Sequence, residues 1–292
     1  MTRFVTRMQK VLWLVDFLFS KKFKQEYKNQ YSGRCCVLAN GPSLNDAFTK
    51  YDQGELEITN DSIVMNLAAL DKHFWTIKPK HMCFSDSMFY QDYEPRKEAI
   101  REQFDMLNTK VDWNLNLYLC FLPWEIEAFK KYARLTNPKL HIIPMNRRSC
   151  NEWPSKYWSR LLSSGYYMPE VGTVSNVAIH IALLCGYKEI ELYGMDQIWF
   201  LNFYMADDNN LNVRIQHFYE KEETNSLKPI QNQSIRYCMG VLYRQFRGHD
   251  MHALWAKEIG AHIVNCTPES MIDSFDRIGR DGKLHKAVEG KL

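Results

Sequence analysis

The first residues able to do chemistry are Asn40, Gly41, Pro42 and Ser43, inside the stretch CCVLANGPSLND from Cys35 to Asp46. An apolar run stops at this turn, and a polar segment able to start a helix follows it. Asn40 offers a side-chain amide, Gly41 lets a ligand approach the main chain, and Pro42 fixes the turn. Ser43 can cap the helix, whose N-terminus favours phosphate. The motif is neither G-x-G-x-x-G nor a Walker loop, since no second glycine pair and no Gly-Lys-Ser/Thr follows. A nucleotide or nucleotide sugar therefore suits it better than a dinucleotide, and its competing reading is a plain Asx-type turn.

Further polar residues recur at the ends of apolar runs. Asn66 closes the second run, Asp86 in CFSDSMFY the third and Asp196 the sixth, while Gly172 and Thr173 open the helix before that sixth run. Four such positions at one sheet edge point to a site, because ligands of open α/β sheets lie beyond the carboxyl ends of the strands. Each also has a structural reading: Asn66 and Asp196 as loop braces, Asp86 as the cap of SMFYQDYE.

The histidines complete the inventory. His249 and His252 in FRGHDMHALWAKEIG are three apart at an expected helix start, close enough to share a face. A two-histidine metal site there lacks a carboxylate partner other than Asp250. His249, in a loop after Gly248, is better placed as a general base, against the alternative of a solvated helix-start histidine. His180 falls inside an apolar helix and reads as a core residue. No D-x-D pair that would anchor a divalent cation on a nucleotide diphosphate occurs, so metal-free chemistry is expected, and no G-x-S-x-G elbow is present.

The elements that must position these residues are legible as periodic segments. Residues 35–39, 62–66, 81–85, 115–121, 140–145, 189–194 and 261–266 read as strands, several of them wholly apolar, as in a parallel sheet covered on both faces. The spacers are long enough for crossover helices, so the expectation is a Rossmann-like, doubly wound α/β fold. In VGTVSNVAIHIALLCGYKEIELYGMD, Thr173 or Ser175 can cap a helix that Gly186 ends. Residues 197–247 lack a clear period and read as a lid or a surface insertion.

Composition sets the outer limits. The 292 residues, 46% of them hydrophobic, can bury a substantial core. Thirty-seven basic and 34 acidic residues give a net charge of +3, too balanced for a dedicated nucleic-acid binder. Eight dispersed cysteines without a C-x-x-C pair fit a reducing cytosol better than a disulfide framework or a thiolate zinc site. Residues 4–19 form an amphipathic pattern with basic residues at both ends, interrupted by Asp16 and too short to span a bilayer. The expected division is a basic amphipathic helix over 1–32 and a nucleotide-binding domain over 33–292. Residues 1–24 would then lie on a membrane interface, or pack on their own domain or on a second subunit in a homo-oligomer.

LANGPSL, the Asn66 strand end, FSDSMFY, GTVSNVAIHIALLCGYKEIELYGMD and the closing GHD…GAHIVNCTPESMID resemble, in this order, the bacterial sialyltransferases of glycosyltransferase family 42. The same order is similar to the wider set of proteins related to 6-hydroxymethylpterin diphosphokinase. The sialyltransferase resemblance, in outline over residues 35–276, implies a variant single-Rossmann glycosyltransferase fold with a lid, a CMP-activated sugar donor and no metal. It implies that Asn40, Gly41 and Ser43 hold the nucleotide phosphate and ribose, that Asn66 contacts the nucleotide, and that Thr173 lies near the donor phosphate or sugar. His249 would deprotonate the acceptor hydroxyl, and lid tyrosines drawn from Tyr219, Tyr237 and Tyr243 would stabilise the departing phosphate. Where that family has Asn at the third strand end, this chain has Asp86, whose charge would repel a donor phosphate unless it meets a ribose hydroxyl.

The resulting expectation is a metal-independent, inverting glycosyltransferase of bacterial surface-glycan synthesis (lipopolysaccharide or capsule). It would act on a lipid-linked or oligosaccharide acceptor at the cytoplasmic face of the inner membrane. Two alternatives stand beside it: a diphosphotransferase using ATP and Mg²⁺ held by carboxylates such as Asp86 and Asp196, and a non-catalytic nucleotide-binding module recruited to membranes.

Overall fold

A computed structural model describes residues 23–170, 172–214, 227–229 and 234–288. The first apolar runs become β1 (Arg34–Leu38), β2 (Ser62–Met65), β3 (His81–Phe84), β4 (Leu115–Leu119) and β5 (Leu140–Pro144). After a two-strand ribbon of β6 (Arg148–Ser149) and β7 (Tyr167–Met168) comes β8 (Glu189–Tyr193). Beyond three short strands, β9 (Phe203–Met205), β10 (Leu211–Arg214) and β11 (Leu227–Pro229), the chain returns as β12 (His262–Asn265), β13 (Asp276–Ile278) and β14 (Leu284–His285). All seven apolar runs are strands, with ends within about two residues of those expected.

Nine of these strands form one sheet in the order β14-β13-β12-β8-β1-β2-β3-β4-β5. Every pair is parallel except β13 with β14. The chain winds outward from β1 to β5, then restarts at β8 on the other side of β1 and winds outward again. That reversal makes the β1/β8 boundary the switch point, where the two connecting loops diverge and leave a crevice. Its register runs level from Arg34↔Glu189 to Leu38↔Tyr193, so the loops after β1 and β8 leave the sheet side by side.

Two apolar layers cover the sheet, which is why β2 and β3 are buried on both faces. Along β1, Cys36 and Leu38 join the layer of α1 (Leu44–Asp52), α2 (Lys72–Ile77), α3 (Lys97–Lys110) and α4 (Pro123–Ala133). Cys35 and Val37 face the layer of α5 (Trp158–Ser163), α6 (Val174–Cys185) and α7 (Ile235–Glu258). From Ser175 to Cys185 every residue of α6 is buried, consistent with an element apolar all round. Gly186 ends it at φ +106, where an added Cβ would lie 2.6 Å from the Tyr31 carbonyl oxygen.

The region after β8, expected as an aperiodic lid or surface insertion over 197–247, contains regular elements and is shorter than that at its far end. Its described part holds a short 3₁₀ turn at Trp199–Asn202 and a small antiparallel sheet of β9, β10 and β11, and the chain is already helical from Ile235. His249 and His252 therefore lie deep inside α7 and not in a loop or at a helix start. Gly248 does not break the helix because its bare Cα is needed there: a Cβ would meet the Asn176 side chain at 2.9 Å. The amphipathic segment at 4–19 and Tyr219 lie outside the described residues. No described helix is long and apolar enough to cross a membrane.

Candidate functional site

A cleft of about 460 Å³ opens at the switch point, beyond the carboxyl ends of β1, β2 and β8. Its floor is two loops joined by their main chains: Ala39 N–H donates to the Tyr193 carbonyl (2.8 Å) and Gly41 N–H to that of Gly194 (2.9 Å). Side chains tighten the same seam, since the Ser43 hydroxyl donates to Asp196 Oδ2 at 2.8 Å and Ser43 N–H to Oδ1 at 3.3 Å. Asp196 thus occupies the N-terminus of α1, and Ser43 spends its hydroxyl on that carboxylate and makes no side-chain cap to its own helix. Gly41 is demanded by this brace: a Cβ there would collide with Asp196 Oδ2 and lie 2.5 Å from the Gly194 carbonyl oxygen. The groups expected to meet a ligand are in this way engaged by the protein itself, the Gly41 N–H by the Gly194 carbonyl and the Ser43 hydroxyl and N–H by the Asp196 carboxylate.

Amides form the walls. Asn40, Asn66 and Gln197 line the cleft, and the side-chain oxygen of each is sealed from solvent without a hydrogen-bond partner. Asn66 (φ +52) and Gln197 (φ +55) are held in the left-handed region, an arrangement that recurs where function outweighs backbone comfort. Opposite them Gly172 and Thr173 lead into α6. The Thr173 hydroxyl makes no cap; it lies 2.6 Å from the Ser175 hydroxyl and donates to Asn176 Oδ1 at 3.1 Å. Gln197 Nε2 donates to the same Ser175 hydroxyl at 2.9 Å. The first-turn N–H groups of α6 have no intrahelical acceptor, so this is the helix terminus at the cleft that remains open to an anion. Trp199, Asn202 and Val241 complete the rim.

Charge in the cleft is sparse. Among the described residues Asp196 is the sole ionisable side chain lining it. Burial is the largest influence on that carboxyl and raises its pKa, against the lowering effect of its two bonds to Ser43. Asp86 is absent from the lining: it is exposed and caps its own turn, accepting from Met88 N–H at 3.1 Å. Among the described residues no group of three or more His, Cys, Asp or Glu is arranged to hold a metal ion.

The general-base expectation for His249 meets a physical obstacle. Tyr237, Val241, Gln245 and His249 follow at four-residue spacing along one face of α7. Tyr237 is exposed, Val241 lines the cleft, Gln245 packs against Gly172, and His249 is fully buried behind them. Phe246 and Phe275 flank the His249 ring (centroids 6.4 and 5.7 Å), and its Nδ1 lies 3.3 Å from Asn176 Nδ2. Burial pulls its pKa down to about 3. Its one described side-chain polar contact is with Asn176, which leads on to Thr173 at the cleft, so it can orient Asn176 but does not line the cleft. His252 is buried in the same seam, its ring 5.8 Å from that of His180. Tyr243, two residues past Val241, is 65% exposed and points away from the lining face.

Of the nine donor-site residues expected from the sequence, Asn40, Gly41, Pro42, Asn66, Gly172, Thr173 and Asp196 line the cleft, and Ser43 and Asp86 do not. Sequence reasoning passed over Ser175, Gln197, Trp199, Asn202 and Val241. Gln197 and Trp199 carried a readable signal, since they directly follow the Gly-Met-Asp turn; Val241 carried none, because an aliphatic residue in a helix reads as packing. No protein-family model matches the chain, and no curated protein matches it.

Proposed function

We propose that the chain is a glycosyltransferase that takes its sugar from a nucleotide-activated donor, best fitted by a CMP-sugar, and passes it to a glycan hydroxyl without a metal. The observation that carries this reading is the cleft at the β1/β8 switch point, lined by side-chain amides and open to the N-terminus of α6. Asn40, Asn66 and Gln197 bring side-chain amides to the cleft lining, which suits a ligand rich in hydroxyl and amine groups, such as a ribose, an aminopyrimidine or a sugar. The lack of lysine and arginine among the described lining residues favours one phosphate held by main-chain N–H groups over a di- or triphosphate, which needs concentrated positive charge.

In this reading the donor phosphate rests at the first turn of α6, with Thr173 beside it. Asn40 and Asn66 bind the nucleoside. Asp196 accepts the proton of the attacking acceptor hydroxyl, and its raised pKa makes it a stronger base than an exposed aspartate. His249 holds Asn176, which in turn holds the Thr173 hydroxyl.

The test is transfer from CMP-activated sugars to a panel of glycolipid and oligosaccharide acceptors, with EDTA present throughout. Sugar-dependent release of CMP supports the reading. Turnover that requires Mg²⁺ and ATP, with no release of CMP, would instead favour the diphosphotransferase.

A further inference from the structure

The amino ends of the strands carry a second cavity, of about 490 Å³, at the opposite end of the sheet from the cleft. Among the described residues it is lined by polar and aromatic side chains alone: three asparagines (60, 114 and 116), Tyr31, Trp113, His141 and two lysines. Its charge is already balanced. Lys78 is held by both oxygens of Asp112 (2.7 and 2.8 Å), and Lys80 by both of Asp61 (2.8 and 2.9 Å). An anion entering here would have to compete with those carboxylates.

The back wall is fixed by a hydrogen-bond chain with one consistent direction. Tyr187 donates to Asp61 Oδ1 at 2.7 Å, so its oxygen accepts from Nε2–H of His81 at 3.0 Å. His81 Nδ1 is then the acceptor for the Tyr118 hydroxyl at 3.2 Å. Tyr31 stacks on Tyr187 (5.4 Å) and meets the edge of His81 (4.7 Å), while its hydroxyl accepts from Asn116 Nδ2 at 3.1 Å. The Tyr31 proton remains available to an acceptor in the cavity. Trp113 is anchored by its indole N–H to the Pro79 carbonyl (2.8 Å) and packs against Phe74 and Trp75.

We propose that this cavity binds a neutral hexose unit of a saccharide. Amides that donate and accept match sugar hydroxyls, indole and phenol rings suit the C–H faces of a pyranose, and a preformed wall lowers the ordering cost of binding. The inference uses nothing from the cleft, and stands whether or not the cleft holds a nucleotide.

Saturation-transfer NMR on the full chain tests it, with lactose, maltose and N,N′-diacetylchitobiose as probes at millimolar concentration and inorganic phosphate as a separate arm. At least one neutral disaccharide should receive saturation, unchanged when CMP is added or when Gly41 is replaced by Ala. Asn60→Ala removes an exposed side chain that braces nothing in the fold, and should weaken binding about fivefold, the value of one net hydrogen bond. Trp113→Phe should weaken it further. The proposal is overturned if no disaccharide binds, if neither variant alters binding, or if phosphate displaces the sugar.

Discussion

The two ends of the sheet differ in how their polar side chains are connected, although the amino end also holds buried atoms without partners, Ser62 Oγ and Arg34 Nε. At the carboxyl ends, amide oxygens of Asn40, Asn66 and Gln197 are buried without partners, and two of those residues sit in the left-handed region. At the amino ends, Asp61, Tyr187, His81 and Tyr118 form a chain in which each group meets a partner. A buried group left unpaired costs roughly 1–3 kcal/mol, so a fold tolerates several together chiefly where something else completes them. The difference separates a cleft lined by side-chain amides from a wall held in shape by its own hydrogen bonds.

The largest effect expected from that contrast is catalytic. Asp196→Asn should lower transfer by roughly 10²–10⁴-fold, while Ser43→Ala, which loses the brace but keeps the carboxylate, should lose far less. Equal losses in the two variants, measured as kcat, would make Asp196 a brace only.

Acid should come next. Burial holds His81, His180 and His249 down at about 3, against 6.5 for an ordinary histidine, and lowers His252 as well. Because the folded state binds these protons less readily than the unfolded chain, the stability of the neutral rings is complete above about pH 6.5 and is lost as pH falls toward 3. Each histidine should remove roughly 1.4 kcal/mol per pH unit inside that window. Urea unfolding at pH 7 and pH 5 measures this, and a flat profile would contradict the buried placement.

Gly41→Ala forces Asp196 away from Ser43 and should cost about 1–3 kcal/mol, with loss of nucleotide binding. The sharpest comparison is smaller in scale. Tyr187→Phe strips Asp61 of a donor and His81 of an acceptor, and should destabilise by about 1–3 kcal/mol. Asn40→Ala removes a buried oxygen that has no partner to lose, so it should leave unfolding unchanged or stabilise by up to about 1–3 kcal/mol, yet weaken nucleotide binding. Similar unfolding costs for both would erase the distinction between the two ends.

The sheet was legible because strands buried on both faces become continuous apolar runs. Edge strands β13 and β14 were not, being short and polar. The cleft loops could be read because Asn-Gly-Pro-Ser and Gly-Met-Asp sit directly after such runs. That Asp196 would turn onto Ser43 was hidden, because the contact spans 153 residues and depends on the level register of β1 and β8. His249 misled for a related reason. Glycine and aspartate on either side of it read as a loop, whereas close packing against Asn176 keeps Gly248 inside a helix that starts at Ile235.

The central claim, that the switch-point cleft is a nucleotide-donor site, is tested most directly by the thermal unfolding of the full chain with CMP, UDP, GDP or ATP, each with and without Mg²⁺. The account predicts that CMP raises the midpoint without Mg²⁺ and that Asn40→Ala reduces the shift. A shift with Mg²⁺-ATP alone, or a CMP shift that Asn40→Ala leaves untouched, would contradict it.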